Sequence, residues 1–237
     1  DLAGTVIEYT DYYKIYEAGG AISEFNRITG SIINAGEIAV IKNSLPFFTP
    51  DCGRNRGGNI KFTRGLYYSG DNAGSNKFIE SLPYLKSIGI NAVVFDVKDI
   101  TGIVHTRSRV REVREFGLNR KGSINNLPKL VRECGKNGIY LIARISVFRD
   151  HLLYDMDRSS RIKSKSTGGE WNPGSKEKWC DPTSSRVQDY NIALAAEIAG
   201  AGVDEIQFDY IRFPTLGDQG DADFAYSTGR RERSDII

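Results

Sequence analysis

Apolar residues in this chain change their spacing in a repeating order, and that order leaves few folds open. From Arg64 to Phe213 the period switches between two and about 3.6 and back several times, as strands alternating with helices require. The strand runs are Arg64–Ser69, Ala92–Lys98, Ile139–Val147 and Asp204–Phe213. Between them, Phe78, Leu82 and Leu85 share one helical face that stops at Gly89. Leu127, Leu130, Val131 and Cys134 share a second, which stops near Gly138. Val187, Tyr190, Leu194 and Ile198 share a third, which stops at Gly200 to Gly202. Strands this continuously apolar are buried on both faces, so a parallel sheet covered by helices is expected.

Eight such units close a (β/α) barrel, typically in about 250 residues. Only four are present here. The expected fold is therefore α/β, with residues 63–237 as the first four β/α units of a (β/α)8 barrel. A self-standing open sheet is the competing reading. Arg233-Ser234-Asp235-Ile236-Ile237 reads as the start of a further helix. Residues 1–62 differ in character. The runs Gly4–Tyr9 and Glu37–Ile41 are short and β-like, and Thr49–Asn59 is turn-rich. They predict a small β-rich N-terminal segment followed by a linker.

Composition narrows the function. The net charge is only +2 in 237 residues, which lends nothing to nucleic-acid binding. No apolar run approaches the roughly 20 residues that cross a bilayer as a helix. No G-x-G-x-x-G or P-loop follows any strand, so a nucleotide-binding α/β protein has little support. Cys52, Cys134 and Cys180 are too few and too scattered for a disulfide framework, and Cys134 reads as a small buried hydrophobe. With His105 and His151 as the only histidines, no histidine-rich metal centre and no cofactor are expected.

Strand parity then locates the chemistry. Alternate residues of a barrel strand face the interior. If Ile206, Phe208 and Tyr210 face helices, Gln207 and Asp209 point inward. By the same count Asp96 and Lys98 point inward from the second strand, and Arg144 and Ser146 from the third. Three strands thus aim polar groups at one place near their carboxyl ends, the face where barrel enzymes keep their active sites. Charged groups buried there must be paired. Asp96, Lys98, Arg144 and Asp209 can form a satisfied ion network, or the same network can hold a polyhydroxylated ligand. Tyr67, on the first strand, joins the substrate-binding candidates.

The loops after the strands supply the rest. Asp99, His105 and a basic run with Arg107, Arg109, Arg111 and Arg114 follow the second strand. His105 reads as a loop hydrogen-bonder. Trp171 and Trp179 follow the third strand and either stack on sugar rings or simply pack the loop. Asp181, before Pro182, reads first as a helix cap, then as a ligand to substrate. Arg212 falls on the helix side by parity, where a salt bridge behind the sheet competes with a role toward substrate. Basic residues that line the cleft would favour an acidic glycan.

Several stretches together resemble a known family. Phe95-Asp96-Val97-Lys98-Asp99, Ile139–Arg144, Trp179-Cys180-Asp181-Pro182 and Glu205–Pro214 look like a bacterial family grouped as glycoside hydrolases. The likeness runs from about Arg64 to the end, in order. It implies a TIM-barrel fold distantly similar to the α-amylase-like glycosidases. In those, a carboxylate at the end of the fourth strand is the nucleophile, which here is Asp209. The acid/base carboxylate comes from a later strand, expected to lie beyond this sequence. Asp96 and Asp99 are the partners available within it. The resemblance implies a polysaccharide or oligosaccharide as substrate, and a secreted or cell-surface protein whose signal or anchor lies outside this sequence. A non-catalytic glycan-binding module on the same scaffold is the alternative, and oligomeric state stays open.

Overall fold

The computed structural model describes residues 63–224, together with 233 and 236. The β-rich segment expected over residues 1–62 lies outside the described residues, as does most of the helix expected at 233–237. Along the chain, β1 (Gly65–Tyr68) leads into α1 (Gly70–Ala73) and α2 (Asn76–Ser87). β2 (Ala92–Lys98) leads into α3 (Arg111–Phe116) and α4 (Leu127–Lys136). β3 (Tyr140–Ser146) is followed by α5 (His151–Met156), β4 (Lys163–Ser164) and α6 (Ser185–Gly200), and β5 (Glu205–Asp209) by β6 (Ala222–Asp223).

β1, β2, β3 and β5 form a four-stranded sheet in that order, with every adjacent pair parallel. The strands therefore follow one another through crossover helices, the βαβ connection. This is an α/β fold, as the switching period requires. The helices begin where a side chain can take up a free N–H. Ser75 accepts from Phe78 N, Asn126 from Lys129 N and Ser184 from Val187 N. α4 stops before Gly138 and α6 before Gly202, both at positive φ (66° and 91°), a backbone state that a side chain would strain.

One face of the sheet is the core. Val93, Phe95, Leu141, Ala143 and Ile145 are fully buried. So are, or nearly so, Phe78, Leu82 and Leu85 of α2, Leu130 and Cys134 of α4, and Leu194 and Ile198 of α6. Each large side chain buried this way contributes about 1.5–3 kcal/mol. The other face is far more open. Tyr67 is exposed, and Val94, Ile142, Arg144, Gln207 and Asp209 are half-buried.

The structure corrects two details of the strand reading. A bulge interrupts the β2–β3 register, so that Asp96 lies beside Arg144 but Lys98 beside Ile145. One extra residue reverses the parity beyond it. Lys98 therefore does not point inward with Asp96; it turns to the helix side. The fourth strand of the sheet also ends at Asp209 rather than at Phe213. Tyr210 takes φ 51°, the left-handed region that a bulky residue rarely adopts, and the chain leaves the sheet there. Short helices α1, α3 and α5 fill loops in which the sequence shows no clear period.

Candidate functional site

The polar residues aimed at the open face meet at Arg144. Its Nη1 donates to Asp96 Oδ1 at 2.6 Å, and its Nε and Nη2 both lie 2.7 Å from Asp209 Oδ2. This fork is possible because register places Asp96 on β2 and Gln207 on β5 on either side of Arg144. A guanidinium with one hydrogen bond on each side spans about 8 Å at most, which bounds the separation of the two bonded oxygens. Burial works against the Arg144 charge, but the bonds to Asp96 and Asp209 outweigh it and raise its pKa further.

The two carboxylates are not alike. The Asp96 side chain is 4% exposed, whereas that of Asp209 is 37% exposed. Asp96 has both oxygens taken, Oδ1 by Arg144 and Oδ2 by the Tyr67 hydroxyl. Asp209 Oδ1 accepts from Tyr210 N at 2.7 Å, which helps to hold Tyr210 in its left-handed state. Asp209 is thus the carboxylate that a ligand on the open face can reach, and Asp96 anchors the fork from behind.

Tyr67 is coupled to this pair. Partial burial, then the hydrogen bond to Asp96, pushes its pKa up to about 12. Tyr140, half-buried near Glu205 and Asp204, is pushed to about 12 as well. Since the folded values lie above the ordinary phenol value of 10.0, the stability these phenols contribute is fully present below about pH 10. It is lost as pH rises through about 12. Absorbance titration should therefore show both ionising late, and Tyr67→Phe should remove one late step. A Tyr67 that titrates with the exposed tyrosines would show that the Asp96 contact is not kept in solution.

Tyr210 carries a second layer that the sequence reading did not assign. Its hydroxyl accepts from Arg149 Nη1 at 3.2 Å, and its ring centroid lies 5.9 Å from that of Trp179 in an edge-on contact. Guanidinium carbons approach the ring from three residues: Arg149 at 5.1 Å, Arg212 at 5.8 Å and Arg144 at 6.0 Å. Glu177 ties this layer together, since its oxygens take Arg149 Nη2 at 3.1 Å and Trp179 Nε1 at 2.9 Å. Parity had put Tyr210 on the helix side; its positive φ brings it to the site instead. Only the position of Arg149 in the loop directly after β3 hinted at its place here.

The remaining candidates divide clearly. Lys98 is fully buried and donates to Asp150 Oδ2 at 2.7 Å and Asn191 Oδ1 at 2.8 Å, behind the sheet. That satisfied network, not the open face, is where it acts. Asp99 accepts from Thr101 N and Oγ1 and lies 3.1 Å from His105 Nε2, so it orders its own turn. Burial would raise its pKa, but the bonds from His105 and Thr101 hold it below the usual value. Gly70 lets the His105 ring pack close, since a Cβ there would stand 2.0 Å from its Cγ. Asp181 is buried and accepts from Thr183 N and Oγ1, while Ser184 caps α6.

The tryptophans are not exposed platforms. Trp171 is 4% exposed and donates to Asp218 O, and Trp179 is 2% exposed. Both are packed into the long loop instead of standing open to solvent. Arg212 is not behind the sheet: its guanidinium carbon lies 4.8 Å from the Trp179 ring centroid. Gln207 is half-buried beside Arg144 in register. Among the described residues, no group of three or more His, Cys, Asp or Glu side chains could hold a metal ion, and no helix is long and apolar enough to cross a membrane.

Residues 65–237 match the family described as "Putative glycosyl hydrolase domain". Among solved structures, a hypothetical protein from Ruminiclostridium thermocellum is 33% identical, with a TM-score of 0.62. That match covers 72% of this chain and 86% of that one. A noncanonic maltogenic α-amylase from Thermotoga neapolitana matches at 14% identity and a TM-score of 0.44, over 64% of this chain and 39% of that enzyme. A GH36 α-galactosidase from Geobacillus stearothermophilus matches at 16% identity and a TM-score of 0.42, over 62% of this chain and 21% of that enzyme. No curated protein matches the chain.

Proposed function

As the chain belongs to this glycosyl hydrolase domain family, we propose that it takes part in the hydrolysis of a glycosidic bond in a polysaccharide, with Asp209 as nucleophile. One observation carries the assignment: Asp209 is the open member of a carboxylate pair held on Arg144 at the carboxyl ends of parallel strands. An Asp209 oxygen attacks the anomeric carbon, the bond to the leaving oxygen breaks, and a carboxylic acid gives that oxygen its proton. Water then cleaves the glycosyl ester, giving its proton back to the carboxylate that acted as acid and its hydroxyl to the sugar, and Asp209 is restored. Arg144 holds the attacking carboxylate in one orientation, and rigid strands hold Arg144. We further propose that the sheet is four units of a glycosidase-like (β/α)8 barrel, and that the protein meets its glycan outside the cell or at its surface.

A second reading, a glycan-binding module without catalysis, has its own support. Asp96, which shares Arg144 with Asp209, and Glu177, which holds Arg149 against Tyr210, have both oxygens hydrogen bonded. Neither is placed as a free acid. Incubation of the chain and its Asp209→Asn variant with a panel of bacterial polysaccharides separates the two. Reducing ends released by the parent and not by the variant support hydrolysis. Binding with no release by either supports the module, and release that survives unchanged in the variant removes Asp209 from the mechanism.

A further inference from the structure

We propose that the sugar position next to Asp209 recognises a carboxylate, and so takes a uronic acid residue, through Arg212. This rests on the glycoside hydrolase reading above. The three guanidinium groups around Tyr210 differ in what they are bound to. Arg144 is committed to Asp96 and Asp209, and Arg149 to Glu177 and the Tyr210 hydroxyl. Arg212 has no carboxylate partner among the described residues. Its Nη1 reaches only Phe213 O at 3.2 Å and Thr215 Oγ1 at 3.4 Å.

Arg212 is exposed, yet it is held in place. Its guanidinium carbon lies 4.8 Å from the Trp179 ring centroid and 5.8 Å from that of Tyr210. Trp179 is itself fixed, buried and bonded to Glu177. A guanidinium supported by aromatic rings and carrying uncommitted N–H groups is preorganised for a planar, two-pronged acceptor. The same Tyr210 ring lies 6.0 Å from the carbon of Arg144, the residue that holds Asp209. Arg212 therefore stands one side chain away from the fork, where an adjoining sugar of a bound chain would lie.

The local charge agrees with this. Arg233 lies 5.0 Å from the Phe213 ring and 5.1 Å from that of Phe224, also with no carboxylate partner among the described residues. Phe213 is thus flanked by two cations, Arg212 at its carbonyl and Arg233 at its ring. Arg149 Nε is buried and has no acceptor among the described residues. One uncommitted fork, set against Tyr210 and Trp179 whose other neighbours include the carboxylate-bound Arg144 and Glu177, suits a single negative charge, a carboxylate, better than a dianionic phosphate.

The test uses matched pairs: oligogalacturonate and oligoglucuronate, each against the carboxyl-reduced oligomer of equal length, titrated calorimetrically into the full chain. The acidic member of at least one pair should bind about tenfold more tightly at low salt, the scale of one charge-assisted hydrogen-bonded contact. The preference should shrink as salt rises. Arg212→Gln should bring the ratio to about one, and Arg212→Lys, which keeps the charge without the fork, should retain part of it. Equal affinity within both pairs, no binding of any oligomer, or a preference unchanged in Arg212→Gln would overturn the proposal. Hydrolysis is scored separately. Asp209-dependent cleavage without acid preference sinks this inference alone, whereas an Arg212-dependent preference with no cleavage of any oligomer sinks the hydrolase reading alone.

Discussion

Replacing Asp209 with asparagine is expected to lower glycan hydrolysis by about 10³-fold or more, the scale on which loss of a nucleophile acts. The amide has nearly the same shape but cannot form the glycosyl ester. Folding should change far less. Asp209 is partly exposed, and Arg144 keeps its 2.6 Å bond to Asp96. The loss of one charge-assisted partner should cost about 1–2 kcal/mol of stability. Turnover and urea unfolding measured on the same preparation separate the two effects. A variant that loses activity only in proportion to its unfolded fraction would mark Asp209 as structural.

The second large effect concerns Lys98. Lys98→Ala should lower unfolding stability by about 3–5 kcal/mol, because it leaves Asp150 charged and fully buried without its partner. Asp150 cannot turn away, since its Oδ1 caps α5 by accepting from Leu153 N at 2.8 Å. Lys98→Met combined with Asp150→Asn should recover a good part of the loss. The pair is then neutral, and the asparagine can still cap the helix. What remains is the contact with Asn191, which bonds Lys98 through Oδ1 at 2.8 Å. Denaturant titration of Lys98→Met, Asp150→Asn and the double variant gives the coupling directly. A loss below about 1 kcal/mol in Lys98→Ala would show that water reaches this pair.

These two residues show how far strand alternation can be read. Simple alternation along the strands points both Asp209 and Lys98 inward. Asp209 lies where the count puts it, because β5 pairs with β3 without interruption up to Ser146 and Asp209. Lys98 does not, because a bulge lies between it and Asp96. Nothing in Phe95-Asp96-Val97-Lys98 marks the bulge: it has no glycine, and both parities bury a charge. The same limit applies at Tyr210. Its reversal depends on a left-handed backbone state held by Asp209 and the Phe148 and Arg149 contacts, which arrive from β3 and its loop.

By itself, the amino-acid sequence determined the strands and helices of the sheet, its parallel order and the meeting of Asp96, Arg144 and Asp209 on one face. Those follow from period and alternation, which are local and depend on the hydrophobic effect acting on each element. Only the tertiary structure decided which of the charged residues face the open side and which serve the core. Pairing register, one bulge and one positive φ set that choice, and each depends on contacts between segments far apart in the chain. Lys98 became a buried counter-ion by that route. Tyr210, Arg149 and Arg212 became neighbours of Asp209 in the same way.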